Sequence, residues 1–123
     1  MSNSTNTNII DLSVFKKENL TIESMTGEKY IIPGNFSTEF YIYLMGAYER
    51  YQKLKKEDYK ASMDFMREIA LEIIKLDTTK SPTMATIDEQ FNDFRAPMAL
   101  VKGVMDYAVN EANDPLSESP NSK

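Results

Sequence analysis

The segment from Phe36 to Leu54, FSTEFYIYLMGAYERYQKL, is the most apolar and most aromatic part of the chain, and it constrains the fold more than any other. Ser37 is a good N-cap, Phe36 can form a hydrophobic staple with Tyr41, and Glu39 places negative charge in the positive first turn. The segment therefore reads as a helix that begins at Ser37. At about 100° per residue, Phe40, Leu44, Ala47, Tyr51 and Leu54 share a face flanked by Tyr43 and Tyr48, with Glu49, Gln52 and Lys53 opposite. That face is core. In the first two turns Tyr41, Ile42 and Met45 add a second apolar surface, which must be covered by another element of the chain or by a second protein.

A chain of 123 residues fits one domain that buries roughly two thirds of its unfolded surface. With no Cys, disulfides and thiolate metal sites are excluded, which fits a reducing compartment. There is no His either, so the usual general base near neutral pH and the commonest neutral metal ligand are both missing. The net charge of −5 argues against a nucleic-acid partner, which needs a basic surface. Lys53, Lys55 and Lys56 read as a solvated helix end facing the negative pole of the dipole. No apolar run approaches the roughly 20 residues of a membrane span, and SNSTNTN lacks the pattern of a secretion signal. The expectation is a soluble, cytoplasmic protein.

In chain order, residues 1–8 are polar and are expected to be a disordered arm. In IIDLSVFKKEN, the residues Ile9, Ile10, Leu12, Val14 and Phe15 are expected to anchor either a short strand or a loop pinned on the core. Leu20, Ile22, Tyr30, Ile31 and Ile32 then flank Met25-Thr26-Gly27-Glu28, a β-hairpin pattern in which Gly27 supplies positive φ. A two-residue Thr26-Gly27 loop would pair Ile22 with Ile31 and Thr21 with Ile32. Pro33-Gly34 turns the chain into the cap of the aromatic helix.

After Leu54 the apolar-free run KKED marks a break, with Glu57 and Asp58 as the acidic first turn of a second helix over about 57–77. One unbroken helix of this span would run about 60 Å, too long for a compact domain of this size. Tyr59, Met63, Met66, Ile69, Ala70, Ile73 and Leu76 form its apolar face, widened by Phe65 and Ile74. Asp64, Glu68, Glu72 and Lys75 form its solvent face. Thr86 and Glu89 read as a capping box for a short helix, TIDEQFNDF, carrying Ile87, Phe91 and Phe94. Pro97 interrupts a continuation or begins the last helix. That helix reaches about Ala112 with Met98, Val101, Met105, Ala108, Val109 and Ala112 on one face, broadened by Leu100, Val104 and Tyr107. Residues 113–123 are expected to be a disordered tail. The fold class is mainly α with a small N-terminal β-hairpin, a compact domain of three to four helices over residues 9–112.

No catalytic constellation stands out. Asp64, Glu68 and Glu72 share a helix face, but a carboxylate di-metal site needs Glu-x-x-His partners that this chain lacks. P-loop, GxGxxG and GxSxG motifs are missing, so the chain reads as non-enzymatic, with no cofactor and no metal. Met45, Met63, Met66, Met98 and Met105 lie on or beside apolar faces, where flexible thioethers serve as core filler or as surfaces that repack against a partner. Four of the seven Tyr lie between Tyr41 and Tyr51 and fit the same two roles. The surface to suspect for protein binding is Tyr41, Ile42 and Met45, with Leu100, Val104 and Tyr107 as a second choice.

The order of parts, a polar arm, LSVF, a hairpin around TGEKYIIPG, NFSTEF opening an aromatic helix, further helices and a polar tail, resembles the tail assembly chaperones of long-tailed bacteriophages and prophages. The resemblance implies a small cytoplasmic protein that coats the long tape measure protein, keeps it soluble, self-associates, and helps recruit tail-tube subunits before leaving the finished tail. Some relatives are also made as a longer frameshifted form. Two other classes stay open: a structural component of the phage tail or connector, and a small regulatory, antitoxin-like module that binds one partner.

Overall fold

The computed structural model describes residues 8–109 of the chain. The expected tail, all but Asn8 of the expected arm, and residues 110–112 of the expected last helix lie outside the described residues. Along the chain come a 3₁₀ helix (Leu12–Phe15), strands β1 (Leu20–Glu23) and β2 (Lys29–Ile32), and helices α1 (Thr38–Glu57), α2 (Tyr59–Ile74), α3 (Met84–Gln90) and α4 (Arg95–Val109). The fold is mainly helical α+β, four helices with a two-stranded antiparallel hairpin before them.

Helix α1 starts where its cap dictates: the Ser37 hydroxyl accepts the Phe40 N–H at 3.1 Å. Phe36 packs edge-on against Phe40, with ring centroids 5.2 Å apart, and lines one concavity together with Tyr41. The helix ends at Asp58, the single non-helical residue before α2 (φ −151°, ψ 94°). Its N–H donates to the Leu54 carbonyl at 2.7 Å, closing α1, while its carboxylate accepts the Ala61 N–H at 3.1 Å, opening α2. One residue thus makes the break. Glu57, expected in the first turn of the second helix, is instead the last residue of α1.

The organising element is α2, not α1. It packs against α1, α3, α4 and β2, and Met66, Ile69, Ala70, Ile73 and Ile74 are each at most 1% exposed. Each fully buried Ile or Met contributes about 1.5–3 kcal/mol relative to leaving it in water. From α1 only Leu44, Ala47 and Tyr51 are buried. The aromatic richness of α1 misdirects the sequence reading, because an aromatic helix with a neighbour on one side leaves half of its rings at the surface. Tyr59, expected on the apolar face of α2, is 58% exposed at its first turn.

The hairpin forms in a register one residue away from the expected one: Leu20 pairs with Ile32, Thr21 with Ile31, Ile22 with Tyr30 and Glu23 with Lys29. Ser24 and Glu28 extend the ladder through the Ser24 N–H to Glu28 carbonyl bond at 2.8 Å, so the loop is Met25-Thr26-Gly27. Gly27, at φ 94°, is the last of three loop residues, the position that three-residue hairpin loops place in the left-handed region. The slip exchanges faces. Ile22, Tyr30 and Ile32 point into the core, and Ile31 is 53% exposed.

At its N-terminus α3 is capped at Thr83, whose N–H donates to the Thr86 hydroxyl at 3.0 Å. Thr86 is therefore the third helical residue and not the cap, and the helix stops before Phe91. Phe91 is buried and Phe94 is 63% exposed. The Asp93 carboxylate accepts the Arg95 N–H at 2.8 Å and the Arg95 guanidinium at 2.9 Å, which sets the start of α4, and Pro97 lies in its first turn. Among the described residues no helix is long and apolar enough to cross a membrane.

Candidate protein-binding surface

The segment 9–15 is not buried. Ile9, Ile10, Leu12 and Val14 are 63%, 84%, 64% and 42% exposed, so the residues read as core anchors face outward, and Phe15 alone is half-buried. Locally, the Asp11 carboxylate accepts the Ser13 N–H at 3.0 Å and its hydroxyl at 2.7 Å. This makes the 3₁₀ turn that replaces the expected strand or pinned loop. The following residues are tied down by polar contacts instead of apolar burial. The Asn35 side chain donates to the Phe15 carbonyl at 2.8 Å and accepts the Lys17 N–H at 3.0 Å.

Residues 17 and 18 then bridge to the end of α4. The Lys17 ammonium donates to the carbonyls of Tyr107 and Ala108 and sits 5.4 Å from the centre of the Tyr107 ring. A cation at helical carbonyls is the favourable sign. The Tyr107 hydroxyl donates to the Glu18 carbonyl at 2.6 Å. Gly34 lies beneath this strap, so close that a Cβ there would be 2.1 Å from the Glu18 carbonyl oxygen. Only glycine fits.

The strap brings Phe15 beside the start of α1. Phe15, Phe36, Tyr41 and Ala108 line one concavity of about 320 Å³. Beyond it on α1, Tyr41 is 40% and Ile42 64% exposed, and Met45 is half-buried. Tyr43, 38% exposed, is on the side facing α2. Its phenol is pushed up from its ordinary pKa by burial and then by the Glu72 and Glu68 carboxylates, so it stays neutral. One flank of the patch is apolar and the other acidic.

The second sequence choice does not form such a surface. Leu100 and Val104 are 8% and 2% exposed and belong to the core, and the hydroxyl of Tyr107 is occupied by Glu18. The apolar arc of α4 is turned inward where α2 packs on it, and Leu100 and Val104 line the narrow groove between α4 and β1 rather than the open surface. What sequence reasoning missed is the outward segment 9–14. The signal was present in Asp11-x-Ser13, a local Asx turn that lifts its neighbours off a core.

Two of the other concavities hold aromatic and charged side chains together. One of about 520 Å³ lies between α2 and the α3–α4 connection, lined by Tyr59, Met63, Phe91, Phe94 and Pro97, with Arg67 paired to both Asp64 and Asp88 at its edge. The other, about 540 Å³, is lined by Tyr48, Tyr51, Lys55, Lys56, Met98 and Lys102. In it the buried Tyr51 hydroxyl has no hydrogen-bond partner among the described residues, and burial, then Tyr59 and Tyr48, raises its pKa. On the acidic face of α2, Asp64 pairs with Lys60 and Arg67, and Glu72 with Lys75. Among the described residues no group of three or more metal-ligating side chains comes together. In comparisons with family models, curated proteins and solved structures, nothing matches this chain.

Proposed function

We propose that this chain is a non-enzymatic tail assembly chaperone of a long-tailed bacteriophage or prophage. In this reading it binds the tape measure protein in the bacterial host cytoplasm, self-associates, helps bring tail-tube subunits to the growing tail, and is absent from the finished particle. The observation that carries it is the cluster at the start of α1, where Ile42 is 64% exposed and Tyr41 40% beside the Phe15 and Phe36 concavity. A large exposed apolar patch is the usual mark of a protein-binding site. Its aromatic residues and Met45 suit a long, repetitive helical partner, which presents many similar apolar stripes and rewards a surface that repacks.

The test has two arms. Co-expression of this chain with a tape measure protein should move that protein from the insoluble to the soluble fraction, and purified particles should lack this chain. A tape measure protein that stays insoluble contradicts the reading. Recovery of this chain at fixed stoichiometry in finished particles would assign it to the structural components of the tail.

A further inference from the structure

We infer that the outer edge of β1 is a strand-pairing site for a second copy of this chain, joined in antiparallel fashion about a two-fold axis. The two edges of the hairpin are treated differently. In an antiparallel ladder alternate residues turn their N–H and C=O groups outward. The Ser24–Glu28 bond fixes which ones, Lys29 and Ile31 on β2, and Thr21 and Glu23 on β1. On β2 two of these four groups are met by side chains: the Ile31 N–H donates to the Asp77 carboxylate at 2.8 Å, and the Lys29 carbonyl accepts the Lys80 ammonium at 2.7 Å. The Asp77 and Lys80 side chains thus stand across that edge. On β1 the next outward group along, the Met25 N–H, donates to the Gln90 carbonyl at 3.0 Å. The main-chain groups of Thr21 and Glu23 bond to no protein group among the described residues. An unpaired edge is a template for another strand.

The space beside this edge has the form of a strand. A groove of about 420 Å³ runs along all four residues of β1 and is floored by Ala96, Ala99, Leu100, Gly103 and Val104 of α4 together with Phe91. Ala96, Ala99 and Gly103 leave room for a backbone, and Leu100 and Val104 give its inward residue an apolar floor. The edge is also self-complementary. With Ile22 opposite Ile22 of the second copy at the axis, Thr21 of each copy faces Glu23 of the other. Both residues can then exchange N–H to C=O bonds, and no two like charges lie directly opposite. In a pair of chains each of net charge −5, this register sets a hydroxyl rather than a second acid against Glu23. Four residues per strand make a small interface, so the dimer is weak and concentration-dependent. The pairing deepens the self-association proposed above but uses other residues than Tyr41, Ile42 and Met45, so either can fail alone.

The experiment is amide hydrogen exchange on the full chain at low and high protein concentration, with mass by sedimentation, repeated on Thr21→Pro. Proline at 21 removes an outward N–H and spares the hairpin's own bonds. The expected result is protection of the Thr21 and Glu23 amides that grows with concentration, in step with a doubling of mass. In Thr21→Pro the mass stays that of one chain at every concentration. A wild-type chain monomeric throughout, or a variant that still doubles, overturns the proposal. So does protection independent of concentration, which would mean that a segment of the same chain covers the edge. Should the variant unfold, the exchange of the unaltered chain decides.

Discussion

The Asp77 carboxylate accepts the main-chain N–H of Ile31 at 2.8 Å, across 46 positions of sequence. Its other oxygen takes the Thr79 hydroxyl at 2.6 Å and the Thr79 N–H at 3.0 Å. Asp77 is 6% exposed, and through it the turn after α2 holds the hairpin, a two-stranded element that is marginal by itself. Below this pair, Ile32 of β2 and Ile73 and Ile74 of α2 are wholly buried.

Acid should loosen that joint. The Thr79 hydroxyl first, and then the Ile31 N–H, hold the Asp77 carboxyl below its ordinary pKa, and the hydrogen bond from Arg95 brings Asp93 down to about 2. A carboxylate whose pKa is depressed in the folded state adds stability above its unfolded pKa, about 3.9, and loses it as pH falls through the folded value. The melting temperature should be level above about pH 5 and decline from about pH 4 toward about pH 2. Asp77→Asn should start several degrees lower and decline less steeply. Thermal unfolding followed by circular dichroism across this range checks both, and an identical slope in the variant would show that Asp77 is not the titrating latch.

Gly34→Ala should destabilise the chain by about 1–3 kcal/mol, the usual cost of forcing atoms into filled space. The added Cβ meets backbone, the Glu18 carbonyl oxygen at 2.1 Å, which cannot swing aside as a flexible side chain would. Chemical denaturation measures the loss. The same change at Gly46, where a Cβ meets nothing within 4 Å, should stabilise α1 by about 0.5–1 kcal/mol through backbone entropy and helix propensity.

Tyr51→Phe should leave stability unchanged or raise it by up to about 1 kcal/mol, since it removes a buried hydroxyl that has no partner among the described residues and whose desolvation is uncompensated. A loss of more than about 1 kcal/mol in denaturant titration would reveal a hydrogen bond to that hydroxyl.

Helix existence was legible because capping and periodicity are local: Ser37 and the KKED break identify α1 and α2 from the residues alone. The hairpin was legible as an element, but its register turned on whether Gly27 ends a two-residue or a three-residue loop, and the same dipeptide serves both. The central place of α2 was not legible. Burial depends on how many neighbours an element has, and α1, richer in aromatic side chains, packs on fewer. For the candidate surface, the phase of Tyr41 and Ile42 against Phe40 and Leu44 gave their outward direction. Leu100 and Val104 are buried in the core, and a wide apolar arc looks the same in sequence whether its own chain or a partner covers it.

Docking of a partner protein at the start of α1 is best tested by replacing Tyr41 with Glu and Ile42 with Lys in one chain, the two exposed members of the patch. The measurement is the soluble fraction of a co-expressed tape measure protein, read beside the melting temperature of the purified double variant. The tape measure protein is expected to return to the insoluble fraction while the variant melts within about 2 °C of the parent, because Tyr41 and Ile42 are exposed and substitutions away from the core cost little. A variant that is folded and still keeps the tape measure protein soluble would contradict it.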